Sequence, residues 1–454
     1  MRAIEPLFPD QPNCARYLPA ISQNYAEAAN NLSWSFTGLP GTMLDYLQRG
    51  GFFRYPATLV SAGQAAKTAA KAARPTMVTN RHKAGTFTIA DSGGFQIQQG
   101  TLKWEGESTV LRMLRWMEDH GDWVMALDFP TGGISIGNVT PHVRRLQEEG
   151  LGQQLDALNA TNQQGLDFNT CLLQTRINTE FMLRERDPSK AGFLVVLQGR
   201  NEAESSSWYR EFQPLIIDGI AFAGAHARNY RLLLNRLLDM RADGTLQRLK
   251  HVHILGTSTI ECAVLFTAIQ RAIRQHDNPD FQITYDTSNP MVSAMEFNIA
   301  ITSYGLDYVS AGMGNKLVSL APDWAYDRTL NEWCADVADQ TNDGCRETGR
   351  DRQFPAFSGV GKQVKMGDLL DLSSGTPKPI TNAMLLVACH NTQVYVDAHR
   401  NAISNWYHAN DGRSRFPVRT RVLEAVINLA LDPHKCPSPY ALISESRHAL
   451  EALV

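Results

Sequence analysis

The chain has 454 residues, of which 43% are hydrophobic and 20% charged, and a net charge of −3. That length suits one large barrel domain with a smaller appendage, and the composition is that of an ordinary soluble globular protein. The charge balance argues against a wholesale polyanion binder and leaves room for a local basic patch. Seven cysteines without a tight pairing pattern fit a reducing compartment. The stretch Met1-Arg2-Ala3-Ile4-Glu5-Pro6 has no apolar signal-peptide core, and no run approaches the roughly 18 apolar residues of a membrane span. The expectation is a cytoplasmic protein with no membrane partner.

Strands are predicted at 33–37, 57–61, 86–91, 123–128, 193–198, 219–224, 251–256 and 281–286. Most are continuous apolar runs, as strands buried on both faces require. Most starts fall about thirty residues apart, the length of a βα unit. The long gap before 193 marks an insertion near 131–190, with polar sequence such as Thr161-Asn162-Gln163-Gln164-Gly165. Eight such units predict an α/β fold, a (β/α)8 TIM barrel over 1–321, with its chemistry at the C-terminal strand ends. An open doubly wound sheet is the alternative, but no Gly-rich dinucleotide or phosphate loop supports it. Residues 322–380 are polar and loop-rich. Helical periodicity returns at 381–407, 418–431 and 438–453. Residues 322–454 therefore read as a mostly helical C-terminal subdomain whose helix 381–407 packs on the barrel.

The most informative segment is Thr88-Ile89-Ala90-Asp91-Ser92-Gly93-Gly94-Phe95-Gln96. A carboxylate at the end of a buried strand is costly unless something uses or pairs it. Two glycines after it permit a close backbone approach, and Phe95 offers a ring face. A second strand-end acid stands in Tyr285-Asp286-Thr287-Ser288-Asn289-Pro290. Two such carboxylates far apart in sequence point to a shared active site.

These segments, together with Met125-Ala126-Leu127-Asp128, Leu197-Gln198-Gly199, Gly219-Ile220-Ala221-Phe222-Ala223-Gly224, Ile254-Leu255-Gly256 and His390-Asn391-Thr392-Gln393-Val394-Tyr395, occur in one order. That order resembles the tRNA-guanine transglycosylase superfamily, whose members exchange guanine in a nucleic acid for a 7-deazaguanine base such as 7-cyano-7-deazaguanine. The resemblance spans about residues 85–400 and implies a pentosyltransferase. Asp286 would be the nucleophile that forms a glycosyl ester, and Asp91 the general acid/base. Asp128 would accept bonds from the donor edge of guanine. Gln198 and the N–H of Gly224 would bind the base carbonyl, Phe95 and Leu255 would sandwich the ring, and Ser92, Gly93 and Gly256 would complete the pocket.

The departures shape the choice of polymer. The tRNA enzymes join a Cys-x-Cys-x-x-Cys cluster to the late His to hold zinc. This chain has no such cluster, and Cys334, Cys345 and Cys389 are wrongly spaced around His390. The metal is therefore left unassigned. The arginines that hold the anticodon loop are replaced by Met291-Val292-Ser293-Ala294-Met295, and the acid expected after Gly224 by Ala225-His226-Ala227-Arg228. A base-exchange core without tRNA-reading parts resembles the DNA-guanine transglycosylases of bacterial and phage 7-deazaguanine DNA-modification systems. DNA is thus the leading partner and tRNA the runner-up, with further proteins of such a system as partners. Arg413, Arg415, Arg419 and Arg421 form the candidate backbone-binding cluster. A glycoside hydrolase with paired carboxylates and a non-catalytic nucleic-acid-binding relative are the competing classes.

Overall fold

The computed structural model describes residues 3–257, 259–305, 308–312, 327–348, 353–371, 373, 378–409 and 416–451. Eight parallel strands run in chain order: β1 (Arg16–Pro19), β2 (Ala57–Ser61), β3 (Phe87–Asp91), β4 (Trp123–Met125), β5 (Gly192–Leu197), β6 (Gly219–Phe222), β7 (His251–Ile254) and β8 (Gln282–Thr287). Each of β3 to β8 pairs with its predecessor, and β8 pairs with β1. Ala20, just past β1, forms a parallel bridge to Leu59 of β2, and Ile21 N–H donates to Leu59 O at 3.1 Å. The sheet thus comes round on itself as a (β/α)8 barrel with its helices outside. Among the described residues, no helix is long and apolar enough to cross a membrane.

The apolar runs form strands because both faces are covered: all six residues of β5 are buried, as are all six of β8. The first predicted strand, 33–37, is corrected. Ser35–Phe36 instead pairs with Leu39–Pro40 in a small two-stranded hairpin. Thr37 (φ +50°) and Gly38 (φ +81°) form its turn, with both central residues in the left-handed region. The first barrel strand is β1, whose polar letters hid it. Arg16 is buried because its guanidinium bonds Gln11 and lies 4.7 Å from the Phe8 ring centroid. Tyr17 stacks on His399, with ring centroids 4.6 Å apart.

Between β4 and β5 lie three helices, Thr140–Glu148, Gly152–Asn162 and Leu166–Glu185. The last returns to the barrel and carries buried polar residues, including Gln174, Thr175, Asn178 and Thr179. After β8, the short helix Asn289–Met295 leads to β9 (Ile299–Tyr304), which pairs antiparallel with β10 (Tyr308–Gly312) and β11 (Phe354–Pro355). The 25-residue helix Met384–His408 packs on the helix Asn289–Met295, the helix Ile260–His276, β9 and β1. Asn391 ties it down. Its Oδ1 accepts from Ile301 N–H at 2.9 Å, and its Nδ2 donates to Ile299 O at 2.9 Å and Pro290 O at 3.3 Å.

Candidate active site

Asp91 closes β3 in register with Ser61 of β2, and Asp286 stands one residue from the end of β8 in register with Leu18 of β1. Strand alternation turns Phe87, Ile89 and Asp91 to one face of β3, and Thr284 and Asp286 to one face of β8. Both acids therefore reach the C-terminal mouth of the barrel.

The segment after Asp91 is built around close backbone contacts. Gly93 (φ +87°) lies so near Gly63 that a Cβ would stand 2.3 Å from the Gly63 Cα. A Cβ on Gly94 would stand 1.9 Å from Asp128 O. The two glycines thus dock the β3 loop against the β2 and β4 loops. Ser92 completes the docking: it is buried, and its hydroxyl donates to Ala126 O at 3.0 Å. Phe95 is left 57% exposed on the short helix Gly94–Gln98, open to a stacking partner.

Asp128 lies three residues past β4. The flanking backbone is held by the helix Leu166–Glu185. Phe129 N–H donates to Thr175 Oγ1 at 2.8 Å, and Asn178 Nδ2 donates to Leu127 O at 2.9 Å. Gln198, just beyond β5, donates from Nε2 to Asp128 Oδ2 at 2.5 Å. Its Oε1 accepts from the N–H of Thr131 at 2.8 Å and from its hydroxyl at 3.1 Å. Gln198 therefore aims Asp128 through Oδ2. Sequence reasoning assigned Gln198 to a base carbonyl and missed Thr131, Thr175 and Asn178. The spacing of Thr175, Asn178 and Thr179, which puts three uncharged polar residues on one helix face, was the available signal.

Asp286 is 6% exposed. Its Oδ1 accepts from Gly256 N–H at 3.1 Å and lies 3.1 Å from His253 Nε2. Gly256 has φ +72°, which favours glycine, and Thr257 N–H donates to the Asp286 carbonyl at 2.9 Å. Leu255 packs half-buried against the core beside it. Gly224 (φ +65°) sits close to the Gly199 carbonyl, and Ala225 N–H donates to that same oxygen at 3.1 Å. Behind it, His226 is buried between Ser205 Oγ (2.8 Å) and Ala223 O (2.9 Å), and burial lowers its pKa to about 4.

The three carboxyls share one field. Burial pushes the Asp91 carboxyl up; the Ser61 hydroxyl and Gly93 N–H oppose this, and the Asp286 charge reinforces it. Burial likewise raises Asp128 to about 7, with Asp91 adding to the shift and the Gln198 bond opposing it. Ionising Asp128 in the folded protein thus costs stability. The contribution of its neutral form is fully present below the ordinary carboxyl range and is lost as pH rises through about 7. Asp128→Asn keeps an acceptor for Gln198 and carries no charge. The expected result is a higher thermal midpoint than wild type at pH 8, from a stability gain on the order of 4 kcal/mol before relaxation, and no gain near pH 4. Calorimetry at the two pH values checks this. An equal shift at both would show that Asp128 is not held near neutrality.

The residues around His390 do not fit zinc. His390 Nδ1 pairs with Ser358 Oγ at 2.7 Å and Nε2 with Ile301 O at 2.8 Å, so both ring nitrogens are used. Cys389 is buried with its thiol pushed up to about 12. Among the described residues, no three His, Cys, Asp or Glu side chains converge as a metal-binding group.

Of the basic cluster, Arg413 and Arg415 lie outside the described residues. Arg419 is half-buried and Arg421 exposed on the first turn of the helix Val418–Ala430. Thr420 between them bonds Glu261, in the first turn of the helix that follows β7. Arg419 and Arg421 therefore sit at the same end of the barrel as Asp91 and Asp286.

Fold and site together define a (β/α)8 barrel with three buried or half-buried carboxyls at its C-terminal mouth. In comparisons with known proteins, the chain matches no family model and no curated sequence.

Proposed function

We propose that the protein is a guanine transglycosylase acting on DNA, a pentosyltransferase that replaces guanine with a 7-deazaguanine base. One observation carries this reading: the pairing of Asp286, whose Oδ1 faces two N–H-bearing groups, with Asp91, whose carboxyl is pushed up beside it. The free oxygen of Asp286 attacks C1′ of the target nucleotide. The C1′–N9 bond breaks, and Asp91 gives its proton to the departing base. Asp91, now ionised, takes the N9 proton of the incoming base. That nitrogen attacks C1′, and the ester bond to Asp286 breaks to restore the carboxylate. Ionised Asp128, aimed by Gln198, presents its carboxylate to the N–H donors of the base edge, and exposed Phe95 offers a ring to stack on.

The choice of DNA rests on what surrounds this core. The zinc cluster and anticodon-holding arginines of the tRNA enzymes are missing from the sequence. Arg421 is exposed at the same end of the barrel as the two acids, whereas Nε and Nη2 of Arg419 are buried. A guanine in a duplex must be unstacked at a cost of a few kcal/mol, roughly, and salt-sensitive phosphate contacts are a natural source of that energy. Labelled guanine is expected to exchange into duplex DNA. Incorporation should fall with added salt and with Arg421→Ala, and little should enter tRNA. Efficient labelling of tRNA with none of DNA would overturn the choice of polymer.

A further inference from the structure

The barrel interior holds a polar column behind Asp286, of which the roles above use only the contact with His253. On β7, alternation puts His251 and His253 on one face, and on β8 it puts Thr284 and Asp286 on one face. His251 Nε2 lies 2.7 Å from Thr284 Oγ1, the same oxygen lies 2.8 Å from His253 Nδ1, and His253 Nε2 lies 3.1 Å from Asp286 Oδ1. His251, His253 and Thr284 are fully buried. The His251 ring sits against Phe87 and Trp123, with centroids 5.8 and 4.8 Å away, and its Nδ1 has no hydrogen-bond partner.

Hydrogen counting orders this column. The Thr284 hydroxyl has one proton and stands between two ring nitrogens. If His253 carries its proton on Nε2, it donates to Asp286 and accepts from Thr284 at Nδ1. Thr284 then accepts from His251 Nε2–H, and the orphaned His251 Nδ1 is a bare lone pair against aromatic rings. Suppose instead that His253 donates from Nδ1–H to Thr284 Oγ1, and the Thr284 hydroxyl donates to a bare His251 Nε2. His251 must then carry its proton on Nδ1, where a buried N–H has no acceptor. An orphaned buried donor is the rarer and costlier outcome.

We infer that His253 is a positioning residue for the nucleophile: the series His251→Thr284→His253→Asp286 donates in one direction and pins Asp286 Oδ1. Gly256 N–H bonds the same oxygen. Oδ1 is thereby occupied twice and Oδ2 is the oxygen left to attack. The column also supplies a directional donor where a water would otherwise be needed to solvate a buried carboxylate. Asp91 and the Tyr17 hydroxyl are ionisable groups that also feel Asp286, and neither offers a positive charge. The catalytic part of this inference rests on Asp286 being the nucleophile; the direction of the hydrogen bonds does not.

Two measurements test it. Ring ¹⁵N spectra of histidine-labelled protein, assigned with His253→Gln, should show His251 and His253 as Nε2–H tautomers. Thr284→Val, which keeps shape and removes the hydroxyl, should shift both. A proton on His253 Nδ1 in wild type would overturn the order whatever the protein's activity. The second measurement is the single-turnover rate of covalent adduct formation with duplex DNA. Gln places an amide N–H near the position of Nε2, so His253→Gln should hold the rate within about 10-fold, whereas His253→Phe should lose about 10²-fold or more. Apparent affinity for DNA should change little in either. Equal rates in the two variants would remove the positioning role. Absence of adduct in wild type alongside the expected tautomers would instead sink the transglycosylase reading and leave the column's order standing.

Discussion

Asp286→Ala is expected to abolish the covalent adduct. Incubated with target DNA and no incoming base, the wild-type protein should trap a glycosyl-enzyme ester that survives denaturation, because the second half of the exchange has nothing to attack with. The alanine variant has no oxygen to place at C1′. Exchange should fall by on the order of 10³-fold or more, as when an attacking residue is removed. The fold should persist. The substitution removes a carboxylate that is buried beside Asp91, and a buried charge seldom stabilises the protein around it. The His253 N–H and Gly256 N–H lose an acceptor, which limits any gain. Denaturing gels with labelled DNA, together with a thermal melt, separate the two effects. Equal adduct yield from the variant would remove Asp286 from the chemistry.

The parts of this fold that the sequence made legible follow one physical rule. A strand buried on both faces must be a continuous apolar run, and β5, with Gly192 and Phe193-Leu194-Val195-Val196-Leu197, obeys it. The strand β1 does not, because Arg16 and Tyr17 are buried only through partners outside the strand: Gln11 and Phe8 from the segment before it, and His399 from a distant helix. No local pattern encodes those partners. The two strand-end acids were visible for the complementary reason, since an unpaired charge after an apolar run stands out. The groups that hold them were not. Gln198 read as a ligand for a base, yet it holds Asp128. His253 was passed over inside a strand, although the spacing His251-Val252-His253 beside Thr284-Tyr285-Asp286 contained the column in period-two form. The glycines of the β3 loop were legible as close approaches, but their neighbours are the Gly63 and Asp128 backbones.

Asp91→Asn should separate proton transfer from binding. Asparagine has nearly the shape of aspartate and can still face Ser61 and Gly93 N–H. It cannot give a proton to a departing base or take one from an incoming base. Turnover should fall by about 10²-fold or more, the usual worth of a positioned acid/base, while DNA affinity is retained. The pH profile carries the sharper information. Because burial and the Asp286 charge hold the Asp91 carboxyl above its ordinary value, its proton is present below the raised pKa and is lost as pH rises through it. The adduct-forming step in wild type should therefore decline on the alkaline side of that pKa. The variant should lose this limb, along with most of its rate. Asp128, held near 7 and acting as acceptor, titrates in the opposite sense, because its ionised form is the one that binds the base. A bell-shaped profile is thus expected, with an acidic limb that Asp128→Asn alters and an alkaline limb that Asp91→Asn removes. An Asp91→Asn protein that keeps both limbs and the wild-type rate would exclude Asp91 as the acid.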